Sequence, residues 1–178
     1  LLSKGIKLKS CTICGVLRRY MLNKLARKLK FTKVATGHNL DDEAQTVLMN
    51  QFKGNIWLSA KLGPIGGVVK SKSFVPRIKP LYFCSEKEIT LYSKLKKFPV
   101  QYCRCPCSVD AYRAKVRAVL KEFEEKYPGT LNGIINSFLE ILPYLRQKQK
   151  GEVNLCKKCG EPTMQGVCKA CEIIEKLR

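Results

Sequence analysis

The sequence predicts an α/β fold that continues into a helical C-terminal part and ends in a small zinc ribbon. Three observations support this prediction. A helix, a short strand, a glycine-containing turn and a second helix follow one another between residues 16 and 52. Strong helical periodicity occupies residues 110–142, and two closely spaced cysteine pairs lie near the C-terminus. The first of these successions is typical of a piece of a parallel α/β unit.

The first predicted helix covers residues 16–30. Apolar side chains recur there every fourth residue, at Leu17, Met21, Leu25 and Leu29. This repeat places them on one helical face, which we expect to be buried.

A short apolar strand is predicted at residues 33–36, before the next helix. Carboxylates follow the turn, where the positive end of a helix dipole favours them. We expect this second helix to bury Ala44, Val47, Leu48 and Phe52.

Later elements follow from prolines, caps and periodicity. Two prolines make residues 75–81 extended, and Ser85 with Glu88 forms a capping box for a helix to about residue 97. Helices are predicted at residues 110–127 and 131–142. The first of them is expected to turn a set of apolar residues inward: Tyr112, Val116, Val119, Leu120, Phe123 and Tyr127.

The chain is strongly basic, with a formal net charge of +20 from 34 Lys and Arg residues against 14 Asp and Glu. A field of this size attracts polyanions, so nucleic acid is the expected partner. The alternative is that the lysines act only as solubilising groups. Because the sequence has no long apolar segment, signal peptide or lipidation motif, it predicts a cytoplasmic protein with no membrane partner.

The cysteines are predicted to be metal ligands, because disulfides are rare in a reducing compartment. Four of them form C-x2-C-x8-C-x2-C, the spacing of a tetrahedral zinc site: Cys156, Cys159, Cys168 and Cys171. Gly160 follows the second ligand, where a tight knuckle needs a positive φ. We expect this zinc to be structural.

The segment TGHNLDDEAQT, residues 36–46, has the strongest catalytic character. Gly37 allows a phosphate or adenine to approach the backbone, and His38 and Asn39 offer hydrogen-bond donors. Asp41 and Asp42 are candidate ligands for the Mg²⁺ of a triphosphate. The sequence therefore predicts an ATP–Mg site here.

Three motifs together resemble a known family: TGHNLDDEAQT, CTICGVLRRYMLNKLA upstream of it and CPCSVDAYR downstream. They are similar to the PP-loop ATP pyrophosphatases that thiolate tRNA, and the C-terminal zinc ribbon narrows the resemblance to the tRNA 2-thiouridine synthetases. The resemblance implies an incomplete PP-loop, Rossmann-like domain at residues 1–108 that carries the cluster cysteines. A helical tRNA-binding extension would follow at 109–150, and the zinc ribbon at 151–178.

The resemblance also implies roles for individual residues. Cys11, Cys14 and Cys105 would hold a [4Fe–4S] cluster, while Asp42 would be the catalytic acid and Arg18 the catalytic basic residue. Both the Cys11–Cys14 pair and Cys105 are expected at loop positions that are able to converge.

Other cysteines and arginines receive weaker assignments. Cys103 and Cys107 are expected to be bystanders, and the role of Cys84 stays open. The arginines predicted to bind tRNA are Arg19, Arg113 and Arg117.

The implied reaction is ATP-dependent sulfur transfer to C2 of a tRNA uridine. Its sulfur would come from a ubiquitin-like thiocarboxylate protein or from sulfide, and a homodimer is expected. The family's N-terminal zinc segment and SGGxDS loop are absent from this sequence, so we expect this polypeptide alone to be inactive. Spacing alone leaves open a persulfide mechanism at Cys14 or Cys105. Two other functions are alternatives: a non-catalytic zinc-ribbon RNA-binding fragment and an enzyme that 2-thiolates a tRNA cytidine.

Overall fold

A computed structural model describes residues 10–67, 73–102, 105, 112–148 and 153–177. Helices and very short strands make up the described chain, which confirms the predicted mixture of the two. In chain order they are α1 (Ser10–Lys28), β1 (Val34–Ala35), α2 (Leu40–Phe52), α3 (Ile56–Ser59), β2 (Ile65–Gly66), β3 (Arg77–Ile78), α4 (Glu86–Leu95), α5 (Tyr112–Lys126), α6 (Thr130–Gln147), β4 (Asn154–Leu155), β5 (Pro162–Thr163) and α7 (Lys169–Leu177).

The chain divides into two compact units that are discontinuous in sequence. Unit 1 comprises residues 1–34, 69–76 and 150–178, and unit 2 comprises residues 35–68 and 77–149. The predicted domain boundaries at residues 108 and 150 stay a prediction. The two units do not test them, because a unit is a group of residues in contact and not a domain assignment.

Unit 1 is built from α1, the β4–β5 hairpin and α7. The two strands are antiparallel and pair Asn154 with Thr163 and Leu155 with Pro162. Helices α1 and α7 pack together, and Ile13 of the first contacts Ile173 of the second in a small apolar cluster.

Unit 2 has its core between α2, α5 and α6. The buried apolar residues of this core are Leu40, Ala44, Val47, Tyr82, Val116, Leu120, Leu131, Ile135, Phe138 and Leu142. Beside them, β3 is the middle strand of a three-stranded sheet with the order β1-β3-β2. Strands β2 and β3 are antiparallel and pair Ile65 with Ile78.

Helix α1 differs from the prediction in its start and in its buried face. It begins at Ser10, six residues before the predicted start, so Cys11 and Cys14 are helical and not in a loop. Three of the four residues predicted to be inward are largely exposed: Met21 by 58%, Leu25 by 52% and Leu29 by 52%. The buried face instead carries Ile13, Asn23 and Ala26. Because Asn23 is polar, a search for an apolar repeat did not identify this face.

Helix α2 begins where its acidic residues predict. Asn39 is the N-cap, and its Oδ1 accepts the N–H of Asp42 at 2.9 Å. Ala44 and Val47 are buried as expected, but Phe52 is 62% exposed in the last turn.

The capping box at the start of α4 is confirmed. The Ser85 side chain accepts the N–H of Glu88, and the Glu88 carboxylate accepts the N–H of Ser85. The helix ends at Leu95, two residues before the predicted end, and Lys96 is its C-cap.

The predicted inward face of α5 is only partly buried. Val116 and Leu120 are in the core, whereas four other members of that face are exposed: Tyr112, Val119, Phe123 and Tyr127. Their burial prediction is wrong, because the core of unit 2 covers only a narrow stripe of this helix.

Helix α6 continues five residues past its predicted end and includes Pro143. Proline removes one helical hydrogen bond, yet Leu145 still packs on the core. Arg146 fixes the last turn by donating hydrogen bonds to the carbonyls of Ala60 (3.2 Å), Leu62 (2.8 Å) and Ile65 (3.0 Å).

Within the described ranges, no helix has both the length and the apolar character needed to cross a membrane.

Candidate functional site

The turn between β1 and α2 in unit 2 holds the predicted ATP–Mg residues. Thr36 anchors it, because its N–H donates to the carbonyl of Ile78 at 2.9 Å and its Oγ1 lies 2.9 Å from His38 Nδ1. A Cβ added at Gly37 would meet no described atom within 4 Å. The space outside Gly37 is therefore open, as close approach of a phosphate or adenine would require.

His38 has a perturbed titration. Burial of the ring lowers its pKa, and the charges of Lys79 and Arg113 lower it too, while Asp42 and Glu43 oppose these effects. The imidazole is therefore neutral at pH 7 and has one donor and one acceptor nitrogen.

Asp41 connects the start of α2 to the start of α4. Its Oδ2 accepts the N–H of Glu86 at 2.7 Å. Together with the capping bond of Asn39, this contact shows that two residues predicted to bind ATP and Mg²⁺ also order the turn. Their ligand roles stay predictions.

Asp42, the predicted catalytic acid, is held from α5 by Arg113. The guanidinium donates to the main-chain carbonyl of Asp42 (3.2 Å), to Gln45 Oε1 (3.3 Å) and to Thr46 Oγ1 (2.8 Å). Its Nη1 also lies 3.9 Å from Asp42 Oδ1. Arg113 thus brings the YR motif to the TGHNLDD motif, a contact that the sequence did not predict.

Arg117, one turn further along α5, pairs with Glu86 at 3.5 Å on the partly exposed surface. This contact leaves the predicted tRNA-binding role of Arg117 untested.

A buried ion pair under this turn was missed from the sequence. Lys79 Nζ donates to Glu43 Oε1 at 2.7 Å, with side chains that are only 10% and 4% exposed. Glu43 Oε2 and the Tyr82 hydroxyl are buried with no hydrogen-bond partner among the described atoms. The available signal was a lysine between apolar residues in RIKPL and a third acid after two others in DDE.

The cysteines predicted to hold the cluster belong to different units. Cys11 and Cys14 lie in the first turns of α1 in unit 1, and Cys105 lies in unit 2; all three are exposed. Their grouping stays a prediction. Cys103 and Cys107 lie outside the described residues, and Cys84 is half-buried after β3.

Two arginines follow the cysteine pair on α1. The guanidinium of Arg19 folds back over Gly15, with Nη1 3.5 Å from the place of an added Cβ. Partial burial of this group, and the neighbouring charge of Arg18, lower the pKa of Arg19. Both arginines lie within two turns of Cys14 on α1, and the catalytic role of Arg18 stays a prediction.

The four C-terminal cysteines converge in unit 1, with all their sulfur atoms within 4.8 Å of one another. The Cys159 and Cys168 sulfurs are 3.6 Å apart, and those of Cys156 and Cys171 are 4.0 Å apart. A zinc ion with Zn–S bonds of about 2.3 Å places its sulfurs roughly 3.8 Å apart. Gly160 has the predicted positive φ of 69°. The donor set therefore fits a tetrahedral zinc ion.

Hydrogen bonding and burial shift the pKa values of these thiols in opposite directions. The N–H of Cys168 donates to Cys156 Sγ at 3.2 Å. This bond, followed by those from the N–H groups of Lys158 and Cys159, lowers the pKa of Cys156 to about 6. Burial raises the pKa of Cys168 and of Cys171. Four thiolates at this separation repel one another, so a bound divalent ion would be needed to ionise all of them.

Comparisons with known proteins agree with the resemblance. No family model matches the chain. The tRNA 2-thiolation protein NcsA of Haloferax volcanii is 40% identical over 177 residues, covering 94% of this chain and 55% of that protein. A probable sulfurtransferase of Methanocaldococcus jannaschii is 39% identical over 170 residues (96% and 48%). The cytoplasmic tRNA 2-thiolation protein 1 of Danio rerio is 37% identical over 175 residues (97% and 50%).

A solved structure has the same fold. The U34-tRNA thiolase NcsA from Methanococcus maripaludis, with its [4Fe-4S] cluster, matches with a TM-score of 0.79 and 32% identity. The match covers 97% of this chain and 54% of that one. The chain thus spans about half the length of the relatives it matches. Over the region that it spans, the chain is homologous to the tRNA 2-thiolation proteins.

Proposed function

We propose that this chain is part of an enzyme that transfers sulfur to C2 of uridine 34 in tRNA, with ATP as the activating substrate. The observation that carries the proposal is the 32% identity, with a TM-score of 0.79, to a U34-tRNA thiolase that holds a [4Fe-4S] cluster. The net charge of +20 supports a polyanionic substrate. The relatives named cytoplasmic support the same location for this protein.

The proposed reaction has two steps. The uridine O2 attacks the α-phosphorus of ATP, and the bond to pyrophosphate breaks. A sulfide sulfur then forms a bond to C2, and AMP leaves with the former O2. Such steps depend on charges placed where negative charge develops.

Within this scheme, the chain's own residues would bind and orient ATP and its magnesium ion. The open turn at Gly37 would bind ATP, and Asp42 would be a ligand of the magnesium ion on its phosphates. Asp41 and Asn39 keep the turn in shape through their bonds to Glu86 and to the N–H of Asp42. Neutral His38 would serve as a hydrogen-bond partner for the nucleotide, and Arg18 would stabilise charge on the departing phosphates.

Cys11, Cys14 and Cys105 would hold the cluster through their thiolates. Held by these three residues, the cluster would supply a binding place for sulfide. Zinc at the four C-terminal cysteines would be structural. The PP-loop character of the domain, a homodimer and a thiocarboxylate or sulfide donor belong to the same proposal.

Thiolation of tRNA transcripts tests this function. The protein encoded by the whole gene is reconstituted anaerobically and supplied with ATP, Mg²⁺ and sulfide, and the nucleoside at position 34 is identified by mass spectrometry. Asp42→Ala should remove 2-thiouridine, while Glu125→Ala, which changes a carboxylate in an exposed surface pair, should not.

Different results identify the alternatives. Thiolation only of a transcript with cytidine at its target position would favour the cytidine enzyme. Tight tRNA binding with no thiolation would favour a non-catalytic RNA-binding protein. Full activity without iron would favour the persulfide mechanism.

A further inference from the structure

Helix α1, which carries Cys11 and Cys14, packs against residues 153–177. These residues contain the four C-terminal cysteines and are called the four-cysteine module or zinc module below. Its partly buried residues Val16, Leu17 and Tyr20 pack against the buried Cys156, Cys168 and Ala170. One face of α1 therefore lies directly against the sulfur ligands.

A buried polar cluster fixes the register of this contact. Asn23, 6% exposed, donates to Glu161 Oε2 at 2.6 Å and to the Ser73 carbonyl at 3.2 Å, and it accepts the N–H of Val75 at 3.0 Å. Arg27 donates to the other oxygen of Glu161 at 2.9 Å. Asn23 and Glu161 are thus satisfied only when helix and module meet in this one arrangement.

Glu161 also belongs to the metal knuckle itself. Its carbonyl accepts the N–H of Cys156 at 2.8 Å, and the N–H of Gly160 donates to the carbonyl of Cys156 at 2.9 Å. The conformation that presents Cys156 and Cys159 to a metal therefore also aims the Glu161 carboxylate at α1.

The module has little else to hold it together. Its strands are two residues each, and its buried apolar residues, among those described, are Cys156, Cys168, Ala170 and Ile173. Small domains with so little apolar core take their folding energy from the metal.

We propose that metal bound at the four-cysteine site positions α1 through Asn23 and Glu161, so that retention of the cluster at Cys11 and Cys14 depends on an intact zinc module. The cluster half of this inference rests on the proposed function, and the structural half does not. Asn23 and Glu161 are positioning residues and touch neither metal.

Amide hydrogen exchange and metal analysis test the two halves separately. In Glu161→Ala, zinc should stay at one ion per chain, while exchange in α1 should accelerate about tenfold or more. The reason is that the buried Asn23 amide and the partly exposed Arg27 guanidinium lose their charged acceptor. Glu161→Gln, which keeps the shape of the side chain, should have an intermediate effect. Cys168→Ser should lose zinc and give the largest acceleration. Iron retained after anaerobic reconstitution should fall in the same order.

A matched control is Glu175→Ala. This change removes an exposed ion pair with Lys158 inside the same module and should leave α1 exchange as in the wild type. Unchanged α1 exchange in Glu161→Ala and Cys168→Ser would overturn the inference. A wild-type protein with protected α1 and no bound iron would instead contradict the proposed function and leave the exchange result to decide this inference.

Discussion

Arg113 donates a 3.2 Å hydrogen bond to the main-chain carbonyl of Asp42, and a second guanidinium nitrogen binds Thr46 Oγ1 at 2.8 Å. The Thr46 hydroxyl in turn donates to that same Asp42 carbonyl at 2.7 Å. The first turn of α2, with the predicted catalytic acid in it, is therefore fixed by a residue seventy-one positions away.

This relationship predicts that Arg113 acts by positioning Asp42. Arg113→Ala should reduce kcat for thiolation by about a hundredfold, since small misplacements of reacting groups have effects of that size. Its tRNA affinity should keep the wild-type dependence on salt, measured by titrations at several salt concentrations. A plot of log affinity against log salt concentration with a slope smaller by about 1, here called the salt slope, would instead identify a phosphate contact. That is the role first predicted for this residue.

Arg117→Ala is the matched control. Its partner is the half-exposed Glu86, and exposed pairs contribute little to stability. If Arg117 binds tRNA as predicted, this variant alone should lower the salt slope while kcat at saturating tRNA is kept.

His38 should titrate below the ordinary histidine pKa of 6.5, because burial of its ring and the charges of Lys79 and Arg113 outweigh the opposite effect of Asp42 and Glu43. As the only histidine in the chain, it gives one unambiguous NMR titration. Asp42→Asn should lower the pKa further, and Lys79→Gln should raise it. An Asp42→Asn protein with a higher pKa would contradict the described arrangement.

The sign of the linked stability follows from this direction. A histidine with a folded pKa below its unfolded pKa binds more protons when unfolded, so stability is full above about pH 6.5 and falls as the pH drops through that value. His38→Asn should lessen this decline, as measured by urea unfolding at about pH 7.5 and about pH 5.5.

The Lys79–Glu43 pair should matter to stability mainly when it is broken. Lys79→Met leaves a buried carboxylate without its cation and should lower the free energy of unfolding by about 3–5 kcal/mol. The double variant Lys79→Met/Glu43→Leu should recover most of this loss, measured by urea unfolding.

An exposed pair provides the comparison for this cycle. Lys121 and Glu125 are 74% and 69% exposed, and their loss should change the unfolding free energy by less than about 0.5 kcal/mol. A Lys79→Met effect no larger than this would mean that the pair is not buried in solution.

Local sequence signals predicted where helices begin more accurately than they predicted which residues are in tertiary contact. The capping box at Ser85 and Glu88 and the acids after Asn39 mark helix starts, because the groups that satisfy a helix end lie within three residues of it. Gly160 was found for the same reason, since a knuckle conformation is a local property.

Tertiary contacts explain what the sequence did not reveal. Asn23 occupies a buried position on α1, so the apolar repeat pointed to Met21 and Leu25, which are exposed. Arg113 and Lys79 look like ordinary surface cations in a chain with 34 basic residues. Only the fold brings them to Asp42 and Glu43.

The three-cysteine cluster leads to the most specific prediction. Cys11, Cys14 and Cys105 should ligate one cluster, so anaerobic reconstitution of the wild type should give brown protein with bound iron. Cys105→Ser should lose this colour, and Cys103→Ser and Cys107→Ser should keep it, because the motif resemblance assigns the third ligand to the cysteine before Pro106. Asp42→Ala should keep the cluster and lose thiolation, since its proposed role concerns ATP and Mg²⁺. A protein bleached by Cys107→Ser and unaffected by Cys105→Ser would place the third ligand two residues further along the chain.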